Sequence, residues 1–244
     1  MKVIILAGGL GTRIKEFTKT IPKPMIKVLN KPLIVHIMSH YLKYGFNDFI
    51  VAAGYKKDVI KKYFNASKKK NSDYTHVINK KKCNIKVVDT GNNTMTGGRL
   101  KRLKKFLVNN KDFMFTYGDG ISNVNLNKLV KSHKKNKKLV SVTAVRPPAR
   151  FGEIVIKKNL VISFKEKPQV QKGWINGGFF IANSNFLNFI RGDKEILEKK
   201  PLETMSKKRQ LNAFQHKGFW KCMDTIRDRE VLTKILTKKK FFYD

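Results

Sequence analysis

The chemically capable residues crowd near the N-terminus, in Leu6-Ala7-Gly8-Gly9-Leu10-Gly11-Thr12-Arg13 and, soon after, Pro22-Lys23-Pro24-Met25. Three glycines in four positions let the backbone turn sharply and approach a ligand without interference from a Cβ. Successive N–H groups in such a turn form a concavity suited to phosphate oxygens, and Arg13 and Lys23 add fixed positive charge for the same anion. Val3-Ile4-Ile5-Leu6, directly before the loop, is an apolar run of the kind a buried strand supplies. The stretch therefore predicts a polyphosphate site at the mouth of an α/β sheet. It is not a dinucleotide fingerprint, because Ile14 stands where the third glycine of G-x-G-x-x-G, counted from Gly9, would fall. It is not a P-loop either, since no Gly-Lys-Ser/Thr follows at the required spacing.

Two carboxylates stand out in a chain with 17 acidic residues. Asp119 lies in Tyr117-Gly118-Asp119-Gly120 at the end of an apolar run, and Asp224 lies in Cys222-Met223-Asp224-Thr225. A carboxylate pair converging on Mg²⁺ is what phosphoryl chemistry needs, because the ion takes hard oxygen ligands and offsets charge on the reacting phosphates. Each residue also has a plainer reading, Asp119 as a turn residue between glycines and Asp224 as a helix cap. Spacing alone does not show that they meet. His36 and His40 lie one helical turn apart, but Ile37 occupies the position where H-E-x-x-H needs Glu, so both read as structural. Cys83 and Cys222 form no C-x-x-C, which fits a reducing cytoplasm without a disulfide framework.

The elements that must position these groups follow an alternating rhythm. Asn30 is placed to cap a helix carrying Leu33, Ile34, Ile37, Met38, Tyr41 and Leu42 on one face, with Gly45 ending it. A strand over 49–53, a short helix over 58–64, and strands over 85–88, 112–117 and 139–145 continue the pattern, with helices over 99–107 and around Leu126, Leu129, Val130 and His133. Residues 65–82 are polar and lysine-rich without periodicity, and read as a surface excursion. The first part is thus an open, mainly parallel, Rossmann-like sheet whose ligands bind at the carboxyl ends of the strands. The later part reads as short strands over 154–156, 160–164 and 174–182, helices near 185–190 and 202–208, and a final helix striped by Val231, Leu232, Ile235 and Leu236. No linker or repeat divides the chain. The expectation is one domain over 1–244, with a first half to about residue 145 and a smaller β-rich elaboration over about 146–244.

Composition sets further bounds. Hydrophobic content of 41% and aromatic content of 11% specify a folded globule, and no apolar run approaches the ~20 residues that span a bilayer. Lys plus Arg number 53, for a formal net charge of +36. Such charge attracts nucleic acid non-specifically. Alternatively it reflects lysines spread over solvated faces, and their scatter, with no nucleic-acid module among them, leads us to expect no specific nucleic-acid partner and no membrane.

The Leu-Ala-Gly-Gly-x-Gly-Thr-Arg string with Lys-Pro-Met following resembles the signature of sugar-1-phosphate nucleotidyltransferases. Other blocks occur in the order that family shows: Met95-Thr96-Gly97-Gly98-Arg99-Leu100-Lys101-Arg102, Thr116-Tyr117-Gly118-Asp119-Gly120, Arg150-Phe151-Gly152, Glu166-Lys167-Pro168, Trp174-Ile175-Asn176-Gly177-Gly178-Phe179-Phe180, Gly218-Phe219-Trp220 and Met223-Asp224-Thr225. The first and the Ile-Asn-Gly-Gly-Phe-Phe block resemble the cytidylyl branch, which makes CDP-glucose and pyrophosphate from CTP and α-D-glucose 1-phosphate. The resemblance implies a CTP site of Leu6, Ala7, Gly8, Gly9, Gly11, Thr12, Arg13, Lys23, Thr94, Arg99 and Gly118, with Arg13 and Lys23 catalytic. It implies Mg²⁺ on Asp119 and Asp224, and a sugar-phosphate site of Glu166, Lys167 and Asn176. It also implies that the half to about residue 145 binds nucleotide and the half over about 146–244 binds sugar phosphate, and that the chain forms a homo-oligomer, a hexamer, in the cytoplasm that the cysteine usage already suggests. The chain departs from the family in a shortened 65–84 region and in Ala149, which stands where Gly is expected.

Overall fold

A computed structural model describes residues 1–65, 75–108, 110–146, 153–157, 159–165 and 173–238. In chain order the first half runs β1 Val3–Ala7, α1 Lys15–Thr18, β2 Lys27–Val28, β3 Lys31–Pro32, α2 Leu33–Lys43, β4 Asp48–Ala53, α3 Lys57–Asn65, β5 Thr75–Ile78 and β6 Lys81–Asp89. It continues with α4 Thr96–Arg102, β7 Asp112–Tyr117, β8 Gly120–Ser122, α5 Leu126–Asn136 and β9 Val140–Val145. The second half adds the hairpin β10 Glu153–Lys157 and β11 Leu160–Lys165, then β12 Ile175–Asn183, α6 Lys200–Lys207, β13 Leu211–His216, β14 Trp220–Cys222 and α7 Ile226–Lys238.

Eight strands form one sheet in the order β13-β9-β12-β7-β1-β4-β6-β5. Only β12 and β5 oppose their neighbours; the other contacts in the sheet are parallel. Every residue of β1 is buried, as a strand covered on both faces requires. Its pleat sends Val3, Ile5 and Ala7 into one core with α2 and α5, and Ile4 and Leu6 into a second core with Leu100, Leu103 and Leu107. A third, smaller core under α7 joins Ile14, Ile26, Val28 and Leu33 to Ile121, Met223, Leu232 and Leu236. It staples the N-terminal loop to the C-terminal helix. The chain leaves β1 for β4 on one side, and β7 lies on the other. The order thus reverses at β1, and the crevice at its carboxyl end is where such sheets bind ligands.

Several local expectations are corrected. Asn30 does not cap α2: Pro32 holds that position without a side-chain cap, and Leu29 and Asn30 adopt positive φ in the turn joining β2 to β3. The helix expected over 99–107 ends at Arg102 and resumes as a 3-10 turn, Lys104–Phe106, while its three leucines remain buried. The helix expected near 185–190 is present, as the 3-10 helix Ser184–Phe189. The surface excursion hides a strand, since β5 pairs with β6 through Asn79 and Lys80, both at positive φ as a two-residue hairpin turn demands. His76 and Ile78 turn inward there, but two inward residues make too short an alternation to register as a strand.

Candidate active site

The glycine loop emerges from the carboxyl end of β1, with Gly8 buried and Gly9 and Leu10 open to solvent. Gly11, at φ 65°, reverses the chain into the 3-10 turn Thr12–Ile14, and Ile14 anchors that turn in the third core. In front lies a cleft of about 310 Å³, walled by the loop on one side and by Thr94, Met95, Thr96, Tyr117, Gly118 and Asp119 on the other.

Arg99 forms part of the cleft wall and is only 4% exposed. Its guanidinium donates to the carbonyls of Gly8 at 2.9 Å and Gly91 at 2.8 Å, to Thr90 Oγ1 at 2.6 Å, and to Ala53 O at 3.3 Å. One side chain thus ties together the carboxyl ends of β1, β4 and β6. Gly8 and Gly54 make room for it: a Cβ on either would lie 2.1 and 2.4 Å from guanidinium atoms. Burial opposes the positive charge of Arg99 and lowers its pKa. The geometry makes Arg99 a positioning residue, with its donors turned to the loops that form the cleft.

The two aspartates meet because β8 pairs with β14. Gly120 lies opposite Cys222, and Met223 N donates to Asp119 O at 2.9 Å, so the residues flanking this short ladder face each other. Thr225 and Asp228 form a reciprocal N-terminal cap on α7, in which Asp228 Oδ2 accepts from the backbone of Asp224 and Thr225. Asp224 is consequently not the cap, and its carboxylate is available to the cleft. Lys23, 8% exposed, donates to Asp119 Oδ2 at 2.7 Å and to Asp224 Oδ1 at 2.6 Å. Arg13 reaches Asp224 Oδ2 at 2.8 Å from the solvent side. Burial pulls the Lys23 pKa down, but the Asp119 charge and the hydrogen bonds to both carboxylates outweigh it, and the net shift is upward.

An ammonium seated between convergent carboxylates is a cation already in place, and the donor set suits a divalent ion. Carboxylate oxygens of Asp119 and Asp224 lie with Cys222 Sγ within 4.8 Å of one another, the one such three-residue group among the described residues. Alternation along β14 puts Cys222 on the same side as Asp224, while Met223 points into the third core. Burial, then the Asp119 charge, pushes the Cys222 thiol well above its ordinary range.

Across the cleft, Tyr117 donates to Glu198 Oε1 at 2.5 Å, and Thr96 Oγ1 donates to Glu198 Oε2 at 2.8 Å. Asn176 Nδ2 donates to Tyr117 Oη at 3.1 Å, linking the start of β12 to the cleft wall. Burial and the Glu198 charge raise the phenol pKa, keeping Tyr117 a donor. Sequence reasoning missed Glu198 and Cys222. Glu198 sits in Ile196-Leu197-Glu198-Lys199-Lys200, which carries no catalytic pattern, whereas the same-side spacing of Cys222 and Asp224 was visible. Leu6, Ala7, Gly8, Gly9, Gly11, Thr12, Arg13, Lys23, Thr94, Arg99, Gly118 and Asp119 all line one cleft. Glu166 and Lys167 lie outside the described residues, as do Ala149, Arg150, Phe151 and Gly152.

A glycine loop at the reversal point of a mainly parallel sheet, facing a lysine clamped by two carboxylates, defines an α/β enzyme built to handle a polyphosphate. The chain belongs to the nucleotidyl transferase family, whose model matches residues 2–227. It is 42% identical over 250 residues to the glucose-1-phosphate cytidylyltransferase of Salmonella typhimurium, covering 98% of this chain and 97% of that protein. The Salmonella typhi enzyme of the same name matches equally. Among solved structures, HddC from Yersinia pseudotuberculosis superposes with a TM-score of 0.73 at 24% identity, over 96% of this chain and 99% of that one.

Proposed function

We propose that this nucleotidyltransferase moves CMP from CTP to α-D-glucose 1-phosphate, yielding CDP-glucose and pyrophosphate. The observation that carries the reaction type is the convergence of Arg13, Lys23, Asp119 and Asp224 at the edge of the glycine-loop cleft. The choice of CTP and glucose 1-phosphate rests on the likeness to the Salmonella enzymes.

The loop N–H groups of Gly8, Gly9 and Gly11 receive triphosphate oxygens. Lys23 exchanges its carboxylate partners for phosphate, and Arg13, exposed at the rim, closes on the same charge. Asp119 and Asp224, released from Lys23, would hold Mg²⁺, which when bound would neutralise charge on the triphosphate. A sugar-phosphate oxygen, ionised at neutral pH, attacks the α-phosphorus in line, the bond to the β-phosphate bridging oxygen breaks, and pyrophosphate departs. No general base is needed. Catalysis is positioning plus stabilisation by fixed cations. Arg99 holds the loop in shape, and Glu166, Lys167 and Asn176 take the sugar phosphate. The protein works as a cytoplasmic homo-oligomer, a hexamer, and as one domain over 1–244.

The test is pyrophosphate release with Mg²⁺ and glucose 1-phosphate, offering CTP, UTP, dTTP, GTP and ATP separately. Release dominated by CTP supports the proposal. Release with a different nucleotide keeps the reaction and discards the cytidylyl assignment, and silence with all five nucleotides across several sugar phosphates removes both.

A further inference from the structure

We propose that Cys222 makes this carboxylate centre a binding site for thiophilic divalent ions of the Zn²⁺ and Cd²⁺ class, which compete there with the catalytic cation. The inference rests on the reading of Asp119 and Asp224 as metal-holding residues and adds a third donor to them.

Three observations support it. Asp119, Cys222 and Asp224 present two carboxylate oxygens and one sulfur within 4.8 Å of each other. Bonds of about 2.0–2.3 Å to a tetrahedral zinc place two of its donors about 3.3–3.8 Å apart, so side-chain rotations that bring the atoms about 1 Å closer close the set. A cation, the Lys23 ammonium, already lies between the two carboxylates. Cys222 is half-buried and opposite Gly120, which has no side chain to cover it, whereas Cys83, on β6, is 2% exposed and points into the core.

Hard-ligand chemistry makes the sulfur irrelevant to Mg²⁺, which selects oxygen, while Zn²⁺ and Cd²⁺ gain directly from a thiolate. As the metal–sulfur bond forms, the thiol proton passes to solvent, and no oxidant is involved. The fourth position is left for water or a nucleotide phosphate. A soft ion held in this way occupies both carboxylates, so the chain carries a built-in sensitivity to zinc and cadmium.

Cadmium titration of the nucleotide-free full chain tests the idea through the sulfur-to-cadmium charge-transfer absorbance. One equivalent should produce the band in the wild-type protein and in Cys83→Ser, and Cys222→Ser should abolish it. Asp119→Asn should weaken Cd²⁺ binding by about tenfold or more. On the wild-type protein alone, Cd²⁺ should protect Cys222 from alkylation, read by peptide mass spectrometry, and Mg²⁺ should not. Absence of the band, its survival in Cys222→Ser, or alkylation unaffected by Cd²⁺ overturns the proposal. If Mg²⁺-dependent pyrophosphate release persists in that same protein, only the thiol assignment falls and the two-carboxylate reading stands. A cadmium–sulfur band without Mg²⁺-dependent release gives the reverse result.

Discussion

Lys23 and Gly8 show how single atoms govern this cleft, one by charge and the other by the absence of a side chain. Lys23→Ala removes the ammonium between Asp119 and Asp224 and, on the proposed mechanism, the cation that meets the triphosphate. Turnover should fall about 10²–10³-fold, the scale at which single transition-state donors are felt, while thermal unfolding stays cooperative. Wild-type pyrophosphate release in this variant would remove Lys23 from the mechanism. Gly8→Ala works differently, because its Cβ would overlap the Arg99 guanidinium at 2.1 Å. Forcing atoms into a filled space costs about 1–3 kcal/mol, and the displaced arginine would release three strand ends. The expected result is a lower unfolding midpoint together with weaker nucleotide binding. A variant with lower affinity and unchanged stability would place Gly8 in ligand contact alone.

Among the elements, α2 carries a pH dependence of its own. His40, 3% exposed, has its pKa lowered to about 4, first by burial and then by nearby Lys43 and His216. The unfolded chain protonates this histidine near its ordinary 6.5, so between the two values the unfolded state binds more protons than the folded one. Stability should therefore decline as the pH falls below about 6.5 and stop declining from this source near pH 4, by at most about 3 kcal/mol. Urea unfolding across that range should show a shallower acid slope in His40→Gln, and an unchanged slope would assign acid sensitivity to other groups. The same helix was legible in the sequence, because its apolar residues from Leu33 to Leu42 recur at helical spacing. The strands β1, β4, β7 and β9 were legible by a different signal, short continuous runs of apolar and β-branched residues of the kind a buried strand supplies. β5 was not, having only His76 and Ile78 to turn inward, and Thr225 rather than Asp224 proved to be the cap of α7. At the site, residue types announced Arg13, Lys23, Asp119 and Asp224. Their meeting depends on the three-residue ladder of β8 with β14, which no periodicity reveals. Glu198 went unseen because its role comes from two hydroxyl partners distant in sequence.

At the scale of the whole molecule the dominant quantity is the net charge of +36. Charge of one sign over a folded surface repels itself, and unfolding relieves the repulsion. Screening shortens its reach from about 30 Å at 0.01 M salt to about 8 Å at 0.15 M. The thermal midpoint should consequently rise with NaCl over that range, and a flat or falling midpoint would show that local ion pairs such as Lys57–Asp89 and Arg102–Asp193 dominate instead. Moderate salt should also suppress retention on DNA. Retention that persists with sequence preference would revive a nucleic-acid role.

The ion pairs from Arg13 and Lys23 to Asp224 join residues 211 and 201 positions apart. During synthesis the glycine loop reaches the ribosomal exit early, and Asp224 follows only after most of the sheet has been translated. A nascent chain can thus shape its first strands without possessing a working centre, and it acquires one only when β14 docks beside β8. On the proposed mechanism activity is in this sense timed by translation, because a chain stalled upstream of Asp224 lacks one of the two carboxylates of the centre.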